Sequence, residues 1–139
     1  METRAFVNEV ARRLGADERR AEGIIFTVFQ TLQDRLPTKE AADLEAQLPT
    51  GLKRLWRADE RRERPVEKLH AEDFIGRVRH WAALPDDAEA RRAVCAVFAA
   101  LQHALGSTSG REGEAWDVLS VLPKDLKFLW LEAAERRAS

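Results

Sequence analysis

The chain has 139 residues and a mass of 15.8 kDa, is 45% hydrophobic and 34% charged, and carries a formal net charge of −1, which fits one ordinary soluble domain or two very small ones. Near-zero net charge excludes the broad electrostatic attraction on which a dedicated binder of nucleic acid or of an anionic membrane relies. No apolar run approaches the roughly 18 residues needed to cross a bilayer, and the charged start METRAFVNEVARR lacks the apolar core of a secretory signal, so a cytosolic chain is expected.

Alanine, leucine, arginine, glutamate and lysine supply 76 of the residues while isoleucine supplies 3 and tyrosine none, a composition that favours helix over strand throughout. Read in chain order, Phe6, Val10 and Leu14 stand four apart on a first helix that Gly15 stops. Asp17 is placed to cap a long second helix with Ala21, Ile25, Phe29, Leu32 and Leu36 on one face. Pro37 ends it. Thr38 is expected to cap a third helix with Ala41, Leu44 and Leu48 inward, and Pro49 to be the first residue of a fourth that holds Leu52, Leu55 and Trp56. Opposite charges such as Glu60 and Arg64 extend that helix to about Arg64, before Pro65 breaks it.

The chain then repeats itself. Leu48 to Trp56 returns as Leu122 to Trp130, with six of nine positions identical at an offset of 74. Ile25, Val28, Phe29, Leu32 and Leu36 match Val94, Val97, Phe98, Leu101 and Leu105 at an offset of 69, and Phe6, Val7 and Val10 match Phe74, Ile75 and Val78 at 68. The offset grows near Trp81 and within Gly106 to Gly110, in segments expected to be loops, where length changes are tolerated. In the second copy Asp86, with Glu89 three residues on, forms an aspartate version of a capping box, and Pro123 opens the helix of Trp130. The expected architecture is all-α: about eight helices in two four-helix repeats, about 2–64 and about 70–137, related by an approximate internal twofold, packed through their long helices into one compact domain over 1–139.

This duplicated pattern, a Phe-x-x-x-Val helix, a long alanine-rich helix and an Ala-x-x-Leu-Pro-x-x-Leu element, resembles the bacterial family called domain of unknown function 2267. The matching residues are Phe6 to Val10, Ala21 to Leu36 and Ala46 to Trp56, then Phe74 to Val78, Ala90 to Leu105 and Leu119 to Trp130. The resemblance implies an all-helical bacterial protein and brings no activity or catalytic residues with it. The second copy departs from the first in having Val121 before Leu122-Pro123, where the first has Gln47.

Chemistry-bearing constellations are sparse. Gly106-Ser107-Thr108-Ser109-Gly110 lacks the Gly-Lys-Ser/Thr ending of a P-loop and the central serine of a nucleophile elbow, and reads as a connector. His70, His80 and His103 form no paired spacing and only Cys95 could join them, so no metal site is expected. Cys95 itself sits among Val94, Val97 and Phe98 and reads as a small buried hydrophobe. Asp86 and Asp87 fit a helix start, and Glu18, Glu22, Glu40, Asp43 and Glu45 lack the Glu-x-x-His pairing of a di-iron bundle. Trp56 and Trp130 occupy equivalent positions, which assigns them to packing.

Trp81 and Trp116 remain, because neither has an aromatic counterpart in the first copy: they stand opposite Arg13 and Ala42. They are the candidate partner-binding residues, with sealing of the junction between repeats as the competing role. The function expected by exclusion is a non-enzymatic cytosolic helical interaction module that binds another protein or itself, with no catalytic residues, metal or cofactor. One alternative is nucleic-acid binding through Arg12, Arg13, Arg19, Arg20, Arg54, Arg57, Arg61, Arg62 and Arg64, disfavoured because acids alternate with them. Another is a small-ligand pocket between the repeats.

Overall fold

A computed structural model describes residues 2–56, 68–106, 118, 120 and 122–138. Among these residues there are seven helices and no strand: α1 (Thr3–Leu14), α2 (Glu18–Arg35), α3 (Thr38–Gln47), α4 (Thr50–Trp56), α5 (Ala71–Trp81), α6 (Asp87–Ala104) and α7 (Lys124–Ala138). Of the eighth expected helix, the third of the second copy, only the helical residues Val118 and Ser120 are described, and the extension of the fourth helix to Arg64 lies outside the described residues.

Local chemistry explains most boundaries. Asp17 accepts the Arg20 amide at 2.8 Å and Asp86 the Glu89 amide at 2.8 Å, so α2 and α6 begin on side-chain caps. The return half of the expected box at Asp86 is not made, since the Glu89 carboxylate turns to Arg92 instead. Gly15 stops α1 at φ 65°; the amides of Gly15 and Ala16 return to the carbonyls of Arg12 and Ala11 at 3.4 and 3.0 Å. Two caps differ from expectation. Thr38 is the first helical residue of α3 rather than its cap, because Pro37, already extended, turns the chain and its carbonyl accepts the Ala41 amide. Pro49 and Pro123 each precede their helices by one residue, and their carbonyls accept the amides of Leu52 and Lys127.

The core is built around two triplets of rings. Phe29 lies 6.2 Å from Phe6 and 5.2 Å from Trp56, and Phe98 lies 6.5 Å from Phe74 and 5.4 Å from Trp130. The inclination between the Phe29 and Trp56 rings is 55°, against 54° between Phe98 and Trp130. Two fully buried glutamines complete the match: Gln33 donates to the Trp56 carbonyl at 2.7 Å and Gln102 to the Trp130 carbonyl at 2.8 Å. Trp56 and Trp130 are thus core residues, and a polar side chain is tolerated beside each because its amide is hydrogen-bonded.

Every residue of α6 from Ala93 to Gln102 is buried. That is possible because α6 is flanked by α1, α2, α5 and α7, and its many alanines let those helices approach from several sides. The halves join mainly through α1 on α6 and α2 on α5, with α2 on α6 a lesser contact, so the first helix of each half against the long helix of the other makes the junction. The expected pairing of the two long helices is the smaller part of it. The stripes of α2 and α6 are buried as their spacing requires, except that Leu105 is half-buried where Leu36 is fully covered. Here the copies diverge: α2 runs into Pro37, whereas α6 turns away through Gly106 at φ 77°.

Candidate functional site

Trp81 is the last residue of α5 and is 71% exposed. Its indole meets the His80 ring edge-on at 5.3 Å and is not sealed against the first half of the chain. Trp116 lies outside the described residues, so the two candidate tryptophans are not brought together here. Phe128 on α7 is a second large exposed hydrophobe, which the sequence reading passed over.

Trp81 stands at the rim of a cavity of about 750 Å³ between α2 and α5. The α2 side is formed by Gly23, Thr27 and Thr31, one turn apart, with Phe26 and Gln30 beside them. Both threonine hydroxyls are turned back onto their own helix, Thr27 to the Gly23 carbonyl at 2.9 Å and Thr31 to the Thr27 carbonyl at 2.7 Å. Threonines bonded in this way satisfy their hydroxyls within the helix. Arg77 on α5 lies 3.6 Å from Asp34 on α2, so the charges lining the groove are paired within it. Arg20 donates to the Ala83 carbonyl at 3.1 Å and ties the turn after Trp81 to the start of α2. The resulting surface is concave, aromatic at one edge and electrically balanced.

The remaining candidates are accounted for by structure. His70 precedes α5, its amide bonded to Asp73, and its ring meets Asp125 at 3.0 Å; that hydrogen bond, with a second from the Ala71 amide, holds the Asp125 carboxyl below its usual range. Glu18 and Glu22 together hold Arg4, each at 2.9 Å, fastening α1 to α2. Cys95 is buried; burial foremost, then the neighbouring Glu132 carboxylate 3.4 Å away, pushes its thiol up to about 12. Glu132 in turn is held at about 2, chiefly by the Arg91 guanidinium, which grips it through both Nε and Nη2. Among the described residues no three His, Cys, Asp or Glu side chains gather as metal ligands, and no helix is long and apolar enough to cross a membrane.

Sequence reasoning also missed a buried charged cluster between α1 and α6. Glu9 of α1 is buried and accepts from Arg13 at 3.0 Å while meeting the His103 ring of α6 at 2.6 Å. In the register of the repeat, Glu9 stands opposite Arg77 and His103 opposite Asp34. Thus Glu9 with His103 and Arg77 with Asp34 span the two halves at matching places, with the carboxylate on α1 in one pair and on α2 in the other. Superposing the offsets of 68 and 69 on the charged positions, not only on the apolar ones, would have revealed this.

No curated protein matches the chain. A family model described as an uncharacterized conserved protein does match, over residues 3–129, and so takes in the first ring triplet, Phe74 and Phe98 of the second, and the groove beside Trp81. With that much of its length covered, the chain belongs to the DUF2267 family.

Proposed function

We propose that this protein is a non-enzymatic cytosolic interaction module, made of two copies of one four-helix unit about an approximate twofold, which docks an apolar helical segment of another protein in the groove between α2 and α5. The observation that carries the reading is Trp81, a 71% exposed indole at the edge of a groove lined by Phe26 together with polar side chains. Large aromatics left open beside a concave apolar surface are typical anchors of protein contacts, and grooves between two helices suit an amphipathic helix laid along them. Charge supports an apolar occupant, since Asp34 and Arg77 face each other and present no net charge to a ligand. The matching inclination of the Phe29–Trp56 and Phe98–Trp130 ring pairs supports the two-copy description.

The test compares tagged wild type with Trp81→Ala and Gly23→Lys in co-purification from the native host. Gly23 has open space where a side chain would grow, so the lysine obstructs the groove without straining the helix. Loss of one and the same partner in both variants, with melting temperatures near wild type and with Phe128→Ala retaining that partner, is the expected result. A complex that survives both substitutions, or a large fall in stability on Trp81→Ala, overturns it.

A further inference from the structure

The groove between α2 and α5 is lined by rings and by polar side chains, and the polar ones have their donors committed to the protein itself. Thr27 gives its hydroxyl hydrogen to the Gly23 carbonyl at 2.9 Å, and Thr31 gives its own to the Thr27 carbonyl at 2.7 Å. Gln30, between them in sequence, donates through its side-chain amide to the Trp56 carbonyl at 3.2 Å. That partner fixes which end of the amide is which, because a carbonyl can only accept. A hydroxyl that has given up its hydrogen keeps acceptor lone pairs alone, and a glutamine held by its nitrogen keeps its carbonyl oxygen. None of these three side-chain oxygens accepts a hydrogen bond among the described residues.

Charge adds little to this surface. Arg77 and Asp34 lie 3.6 Å apart and are each engaged beyond one another, so their charges are committed within the fold. At the rim Trp81 offers a ring that is 71% exposed, and Phe26 adds a second ring to the lining. Aromatic pairs in offset or edge-on contact gain more than their buried area alone supplies, and a hollow of about 750 Å³ is in the range that takes a bicyclic ring. The matching group is therefore aromatic, uncharged and a hydrogen-bond donor. The indole of tryptophan is all three and brings no acceptor to leave unpaired; the phenol of tyrosine comes next. Aliphatic side chains lack the donor. Lysine and arginine bring a charge whose one counterion in the lining, Asp34, is already committed.

We propose that the segment docked in this groove anchors itself by an indole, or a phenol, that packs on Trp81 and donates its N–H or O–H to the side-chain oxygen of Gln30. This rests on the reading of the groove given above and adds the chemistry of the anchor. It is tested by NMR titration of the full chain with indole, with 1-methylindole, which has the same ring and no donor, and with benzylammonium as the charged aromatic. Expected are saturable shifts at the backbone amides of 23–31 and 77–82. Indole should bind about three- to tenfold more tightly than 1-methylindole, the net effect of one hydrogen bond, and more tightly than benzylammonium. Trp81→Ala should weaken indole and 1-methylindole alike, while Gln30→Leu should lower indole to the affinity of 1-methylindole. Equal binding of the two indoles by the wild type, a preference for indole that survives Gln30→Leu, or tighter binding of benzylammonium overturns the proposal. Should Gln30→Leu fail to fold, the wild-type comparison decides alone. The two readings fail separately. A partner lost in Trp81→Ala and Gly23→Lys while neither indole binds keeps the docking groove and removes the anchor; discrimination between the indoles with no such partner keeps the indole site and removes the docked segment.

Discussion

Ala83 performs with a methyl group a task that Gly15 performs without one. It has φ 53°, its amide returns to the His80 carbonyl at 3.2 Å, and the next amide, of Leu84, returns to Arg79 at 2.9 Å. Those are the bonds that Gly15 and Ala16 make after α1, 68 positions earlier. A left-handed L-residue costs roughly 1–2 kcal/mol, partly offset because glycine has more freedom to lose on folding. Ala83→Gly should therefore stabilise the protein by up to about 1 kcal/mol, read as a raised denaturation midpoint. A lower midpoint would show that the turn is held by something other than its dihedral angle. Glu132 makes a second prediction at this scale. Its folded value of about 2 lies below the usual 4.5, so the stabilisation is present in full above about pH 5 and is lost as pH falls through about 2. Allowing for its partial exposure, Glu132→Gln should cost on the order of 1–2 kcal/mol at pH 7, with the difference from wild type closing near pH 2. Cys95, with its thiol near 12 and almost no exposed surface, should resist a thiol-specific reagent at pH 7.5 until the chain unfolds.

Among the elements, α2 and α6 share one plan. Phe29→Ala and Phe98→Ala each empty the centre of a ring triplet and should cost about 3–5 kcal/mol in chemical denaturation. Gln33→Ala and Gln102→Ala, which remove the matching bonds to the Trp56 and Trp130 carbonyls, should cost about 1–3 kcal/mol each and similar amounts. Unequal costs would mean that the two copies differ where their geometry agrees. Much of this level was legible in the sequence. Phe6, Phe29 and Trp56 recur as Phe74, Phe98 and Trp130 because a helix face that must be covered constrains residue type, and Gly15, Asp17 and Asp86 announce helix ends by local backbone chemistry. What local spacing could not convey is which face meets which neighbour. Glu9 and His103 are 94 residues apart, and nothing in the 3.6-residue period marks them as partners. Nor does spacing disclose that Arg92, one turn into α6, turns toward α1, or that Trp81 is left exposed at the edge of the groove between α2 and α5. Thr38 was misread because a proline that already sets the extended backbone makes a side-chain cap unnecessary.

For the whole molecule, two of the arginines that motivated a nucleic-acid reading are engaged, Arg13 by Glu9 and Arg20 by the Ala83 carbonyl, while Arg57, Arg61, Arg62 and Arg64 lie outside the described residues. With a formal net charge of −1, binding of a generic duplex should be no tighter than the roughly 10⁻⁴ to 10⁻⁶ M non-specific range at physiological salt, measured by fluorescence anisotropy. Submicromolar binding that falls steeply with added salt and weakens on replacing Arg61, Arg62 and Arg64 would reverse that ranking. Joining the halves through α1 on α6 and α2 on α5 also bears on how the chain comes apart. Each half lends its first helix to cover the long helix of the other, so neither has a closed core by itself, and unfolding should be a single cooperative transition with coincident fluorescence and circular-dichroism midpoints. A cut between the copies would then produce two fragments, each disordered alone, that restore the fold on mixing. The same reciprocity lets the first half of one chain be completed by the second half of another, so that at high concentration during refolding the species to look for is an exchanged dimer that preserves every contact of the monomer.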